Sequence, residues 1–180
     1  TLSFQSAGLG PELLAGAMIL NPDKFSIKRV ELAYWGHEAF GLSPAWRYLA
    51  ERGMIEIEDW SNYNMSARFK AGAMGLPFIP TRSPLGGNIK DCSRTKIMDC
   101  PFTGRPIGLL PASNPNVALI HVQAADKYGN CIIRGTDATC AEIAMASAHT
   151  IVTCEQLVSN EELTSNPKDV MIPFAAVDAV

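Results

Sequence analysis

The sequence has no apolar run of the roughly 18 residues that a membrane-spanning helix needs, so no membrane partner is expected. It has no basic cluster either. The formal net charge is -3 and the pI about 5.6, which argues against nucleic acid as a partner. None of its five cysteines (Cys92, Cys100, Cys131, Cys140, Cys154) forms a C-x-x-C pair, and their odd number does not close into a disulfide framework. That pattern supports no zinc site and no other metal, and a reduced, cytoplasmic compartment is its simplest reading. A nucleophile elbow of the form G-x-S-x-G is missing, as is the G-x-x-x-x-G-K-S/T loop that cradles nucleotide phosphates. No G-x-G-x-x-G run opens a helix, and there is no internal repeat.

What is present is a core-rich chain. Of 180 residues, 47% are hydrophobic and 18% charged, a composition that suits one globular domain over 1–180. Short β-branched runs bounded by turn formers predict strands at Val30–Trp35, Val117–Gln123, Cys131–Arg134, Thr150–Cys154 and Ala175–Val180. Val117–Gln123 and Thr150–Cys154 are apolar at both phases of the alternation, which predicts a sheet covered on both faces. Helices are predicted at Pro11–Leu20, from Ser43-Pro44 to Arg52, at Asn64–Met74 and at Ala138–Ala148, the last capped by Asp137. His149 is placed to sit on that helix's carbonyl end. The alternation predicts an α/β fold: an open, mostly parallel sheet with helices on both faces. Asp126–Asn130 reads as a tight turn with Gly129 at positive φ. Pro77–Pro115 is rich in Pro and Gly and long enough to be a functional loop. Both ends read as cut from a longer subunit.

Several segments offer chemistry, each beside a plainer reading. Gly8-Leu9-Gly10-Pro11 is either a simple turn or a helix N-terminus facing an anion. Gly36-His37-Glu38 follows a strand, where ligands gather in open α/β sheets, and is either a substrate-holding loop or a polar cap. Ser61-Asn62-Tyr63-Asn64 either points an amide at a developing oxyanion or caps the next helix. Arg82-Ser83-Pro84-Leu85-Gly86-Gly87 is either a surface turn or a ligand loop, with Arg82 for an anion and the glycines for close backbone approach. Glu56–Asp59 reads as a half-exposed strand rather than a metal site, and His121 as a satisfied core histidine rather than a ligand. These residues alone leave the reaction unnamed.

The strongest likeness to a known family lies in Arg68-Phe69-Lys70-Ala71-Gly72-Ala73-Met74-Gly75-Leu76-Pro77-Phe78 followed by Pro80-Thr81-Arg82. Val117-Ala118-Leu119-Ile120 with Ala125–Asn130, Thr150–Glu155 and Val177-Asp178-Ala179-Val180 extend it in order. Together these segments resemble the alpha (A) subunits of family I coenzyme A transferases, nearer the glutaconate branch than the short-chain 3-oxoacid branch. The resemblance implies the fold of that family, shared with ribose-5-phosphate isomerases. It also implies transfer of coenzyme A from an acyl-CoA to a carboxylic acid, with no permanently bound cofactor. Relatives carry the nucleophilic glutamate on a beta subunit, the expected partner. They have a Gln just before the middle helix, where this sequence has the shorter Asn62. Gly36-His37-Glu38 matches a polar loop near the substrate carboxylate. The family's glycine-rich N-terminal segment is expected to precede Thr1.

Two other functions stay open. Ring-opening acyl-CoA hydrolases of the same fold place a carboxylate near the Asn62 position, and an amide cannot act as their general base. A non-catalytic ligand-binding domain needs a phosphate cradle near Gly86-Gly87.

Overall fold

The computed structural model describes residues 1–6, 8–37 and 40–180. Contacts group the chain into two compact units, one formed by Thr1–Ala67 with Pro80–Pro111, the other by Arg68–Ile79 with Ala112–Val180.

The first unit begins with strand β1 (Leu2–Ser6), helix α1 (Leu9–Leu20) and strand β2 (Arg29–Tyr34). A short hairpin follows, β3 (Gly36–His37) and β4 (Gly41–Leu42), then helix α2 (Pro44–Glu51) and strand β5 (Glu56–Asp59). Strands β1, β2 and β5 lie side by side in that order and all run parallel, with Phe4 level with Leu32 and Leu32 level with Asp59. The expected helix at Pro11–Leu20 starts two residues earlier, and Asn21 ends it by donating to the Ala17 carbonyl. Helix α2 begins as its sequence predicts. Ser43 caps it, its hydroxyl accepting from the Trp46 amide at 3.2 Å, and Pro44 takes the first helical position. Gly53, at φ 63°, stops it. Ala15, Met18, Val30, Leu32, Trp46 and Leu49 form the core between helices and sheet, where Trp35 stacks on Trp46 at 6.4 Å.

Helix α3 (Asn62–Ala73) and strand β6 (Phe78–Thr81) each contain a point where the division into units falls. The first unit resumes with a 3₁₀ turn at Ser83–Gly86, the short helix α4 (Ile89–Cys92), and an antiparallel hairpin of β7 (Lys96–Asp99) and β8 (Pro106–Pro111).

The second unit is built on β9 (Val117–Asp126), β10 (Cys131–Ile132), helix α5 (Cys140–Ala146), β11 (His149–Val158) and helix α6 (Asn160–Thr164). β9 is central, antiparallel to β10 and parallel to β11. The parallel pairings and the helices between strands make the fold α/β, as expected. Five local expectations need correction. Helix α5 starts at Cys140 rather than Ala138, because Ala138 has φ 52° and cannot be helical, so Asp137 does not cap it. His149 opens β11 instead of lying on the helix end, and its Nδ1 is 3.4 Å from an Asp178 carboxylate oxygen. Ala175–Val180 is not a strand: Pro173 leads into a 3₁₀ turn at Phe174–Ala176, and only Ala179 bridges to Ile151. Among the described residues, the β9–β11 sheet is covered on one face. Ala118, Ile120, Val122 and Val152 are buried, while Leu119 is 74% and Ile151 43% exposed. His121 lies on that open face, its Nδ1 2.9 Å from the Thr153 hydroxyl, so it is not a core histidine.

The Asp126 turn forms as the sequence predicts, with Gly129 at φ 102°. The buried Asp126 carboxylate accepts from the amides of Tyr128, Gly129 and Asn130 and from the side chains of Asn130 and Asn160, all within 3.0 Å. Burial alone pushes this carboxyl up, but the Asn130 and Asn160 side chains and then the backbone amides outweigh it, and the net direction is down. A carboxyl lowered in the folded chain stabilises fully above its unfolded value of about 3.9, and that contribution is lost as pH falls through the folded value. Asp126→Asn turns an amide donor towards the Asn130 and Asn160 donors and is expected to cost about 2 kcal/mol at neutral pH. Its urea stability should also fall less steeply below about pH 4 than the parent's; equal slopes would remove Asp126 from the acid response.

Among the described residues, no helix is long and apolar enough to cross a membrane.

Candidate active site

Because β1, β2 and β5 are parallel, their carboxyl ends lie along one edge of the sheet. There β1 gives way to Gly8-Leu9-Gly10, β2 to Gly36-His37, and β5 to Ser61-Asn62. Two backbone bonds fix the last two connections: the Trp60 amide donates to the Leu32 carbonyl at 2.9 Å, and the Ser43 amide to that of Trp35 at 3.0 Å. Helices α1, α2 and α3 therefore all start at this edge, with their positive ends towards it.

At α3 the two readings of Ser61–Asn64 divide between residues. Ser61 is the cap, its hydroxyl accepting from the Asn64 amide at 3.1 Å. That frees the Asn62 side chain, which is exposed and makes no hydrogen bond among the described residues. Asn64 is fully buried, and neither its amide oxygen nor its amide nitrogen has a hydrogen-bond partner. Gly36 is buried, and a Cβ there would overlap the Tyr34 hydroxyl, so glycine lets the phenol fold over the loop. The His37 Nε2 lies 3.6 Å from the Glu12 carboxylate of α1. Glu38 lies outside the described residues.

The Arg82–Gly87 segment is the 3₁₀ turn after β6. Arg82, Ser83, Gly86 and Gly87 are exposed, and Pro84 is buried against Gly108 of β8, where a Cβ would strike the proline ring. No hydrogen bond or ion pair among the described residues joins Arg82, Ser83, Gly86 or Gly87 to Gly36, His37, Ser61 or Asn62.

The chain after this turn is tied to the sheet by charge. The Arg94 amide donates to Glu58 at 3.0 Å, and its guanidinium reaches both Glu58 at 3.0 Å and Glu31 at 2.7 Å. Arg29 pairs with Glu58 from the other side. Glu31 and Glu58 are neighbours across β2 and β5 and are both buried, while Ile57, between Glu56 and Glu58 in β5, is 38% exposed. Glu56–Asp59 is thus a half-exposed strand, as expected, with Glu58 as its one buried residue. The two arginines make that burial tolerable. Nothing local in the sequence signals this network, since Arg94 and Glu31 are 63 residues apart.

Residues 15–180 match the family model for coenzyme A transferase. The chain belongs to the coenzyme A transferase family. It is 30% identical over 157 residues to the alpha (A) subunit of 3-oxoadipate CoA-transferase from Pseudomonas knackmussii, covering 85% of this chain and 55% of the relative. It is 32% identical over 156 residues to the alpha (A) subunit of glutaconate CoA-transferase from Acidaminococcus fermentans, covering 77% of this chain and 49% of the relative. The crystal structure of glutaconate coenzyme A-transferase from that organism superposes with a TM-score of 0.81 at 29% identity, over 92% of this chain and 58% of its own. The chain therefore spans about half the length of these curated relatives.

The thiols of this chain differ in their surroundings. Burial, then the charges of Asp126 and Cys154, pushes the Cys131 thiol up to about 11. The Cys100 thiol is held below its ordinary value by the Thr103 hydroxyl and then the Phe102 and Thr103 amides in the β7–β8 turn. Iodoacetamide at neutral pH should label Cys100 well before Cys131, read by peptide mass spectrometry. Equal rates would contradict the environments described.

Proposed function

We propose that this chain supplies one wall of a coenzyme A transferase site at the carboxyl edge of β1, β2 and β5, and that a companion subunit supplies the nucleophilic carboxylate. The observation that carries the proposal is the Asn62 amide, exposed and unbonded at the start of α3, in a chain of this family. The relatives' own names, which mark each of them as one subunit of a transferase, support a companion. On this reading residues 1–180 form the alpha-subunit domain, working in the cytoplasm without a permanent cofactor.

The chemistry is exchange without water or redox change. A glutamate carboxylate of the companion attacks the acyl-CoA carbonyl, the C–S bond breaks, and an acyl-glutamyl anhydride forms as the thiolate leaves. The thiolate then attacks the glutamyl carbonyl of the anhydride, releasing the first acid and leaving a glutamyl-CoA thioester. A second acid takes up the coenzyme by the reverse steps. Each addition puts negative charge on a carbonyl oxygen, and the Asn62 side-chain amide, beside the positive end of α3, is suited to donate to it. Gly36 and His37, with Ser61, line the place for the acid. Arg82, Ser83, Gly86 and Gly87 offer a cation and open backbone to an anionic part of the substrates.

The test is co-purification with the product of the neighbouring gene, followed by a panel of acyl-CoA donors and acids. Coenzyme transfer should appear with the pair and not with the chain alone. Thioester loss without transfer would favour the hydrolase reading, and transfer by the chain alone would reject the division of labour.

A further inference from the structure

The sequence marks Glu12 only as an early helix residue, yet three elements meet at its carboxylate. The Ser43 hydroxyl donates to one oxygen, the Ala45 amide donates to the other at 2.9 Å, and the His37 Nε2 stands 3.6 Å from the first. The carboxylate lies on the N-terminus of α2, where its charge complements the positive end of the helix. At 3.6 Å the imidazole is beyond a direct hydrogen bond and within ion-pair range. Both side chains are largely enclosed, 13% exposed for His37 and 17% for Glu12. The Nδ1 edge of the ring makes no hydrogen bond among the described residues.

We propose that Glu12 is a positioning residue that turns the Nε2–H edge of His37 towards itself and so presents Nδ1–H, with both ring nitrogens as donors, to the substrate carboxylate. This rests on the reading of His37 as part of the acid-binding wall. The two bonds from α2 clamp the carboxylate, so it serves as a fixed reference for the ring.

A double-mutant cycle in the assembled two-subunit enzyme tests it. Glu12→Gln keeps an oxygen for the Ala45 amide and nearly the same volume, so the fold should tolerate it. Its KM for the acid should rise about tenfold with kcat within about twofold, as should that of His37→Gln. The double variant should also show about a tenfold rise, because Glu12 acts only through His37. A fall in melting temperature with unchanged KM, or a rise of about a hundredfold in the double variant, overturns the proposal. If the wild-type pair transfers no coenzyme, the functional reading fails by itself. The link is then decided on the full chain by the ring nitrogen resonances of His37: Glu12→Gln shifts them if the proposal holds and leaves them in place if it does not.

Discussion

Asn62→Ala is expected, on the proposed function, to lower coenzyme transfer by the chain and its companion about a hundredfold, the usual loss when one oxyanion donor is removed. Assembly and melting temperature should barely change, because capping of α3 belongs to Ser61 and the Asn62 side chain is exposed. The effect should fall on kcat and kcat/KM together, since the lost bond strengthens only as charge develops. Asn62→Gln restores an amide with a longer reach and should recover part of the rate. Unchanged turnover in the alanine variant would take Asn62 out of the site.

Gly72→Ala is expected to destabilise the chain by about 3 kcal/mol. Helix propensity predicts the opposite sign, a gain of about 1 kcal/mol for alanine in a helix interior. Packing wins because an added Cβ would overlap the Ser113 carbonyl and come within 2.9 Å of Ala146 Cβ and 2.8 Å of the Asn114 side-chain oxygen. The Ser113 carbonyl cannot easily withdraw, since its residue's amide is held by the Arg68 carbonyl at 3.0 Å. Gly16 in α1 is the control: nothing lies within 4 Å of its added Cβ, so alanine there should follow propensity and stabilise. Urea midpoints of the two variants moving in the same direction would mean that packing does not govern position 72.

Helix starts are legible where the signal is local. Ser43-Pro44 announces α2 through chemistry contained in one turn, whereas α3 starts at Asn62, two residues before the expected Asn64, because Ser61 takes the cap. Gly129 likewise announces its turn through the one conformation it permits. Ala138 hides its left-handed backbone because alanine is ordinarily a helix former. The face of β5 is misleading in hydropathy terms: Glu58 is inward only because Arg29 and Arg94 arrive from distant segments. For the same reason the Glu12–Ser43–His37 cluster is invisible in the sequence, since nothing in a linear pattern brings α1 to the start of α2. The two-sided apolarity of Val117–Gln123 is plain in its residues, but this chain covers only one of the faces it encodes.

Locating the covalent intermediate decides whether the thioester is made and broken by a carboxylate outside this chain. The assembled pair is incubated with an acyl-CoA donor, reduced with borohydride, and digested for mass spectrometry. The modified residue should be a glutamate of the companion. Finding the modified glutamate in this chain would contradict the account.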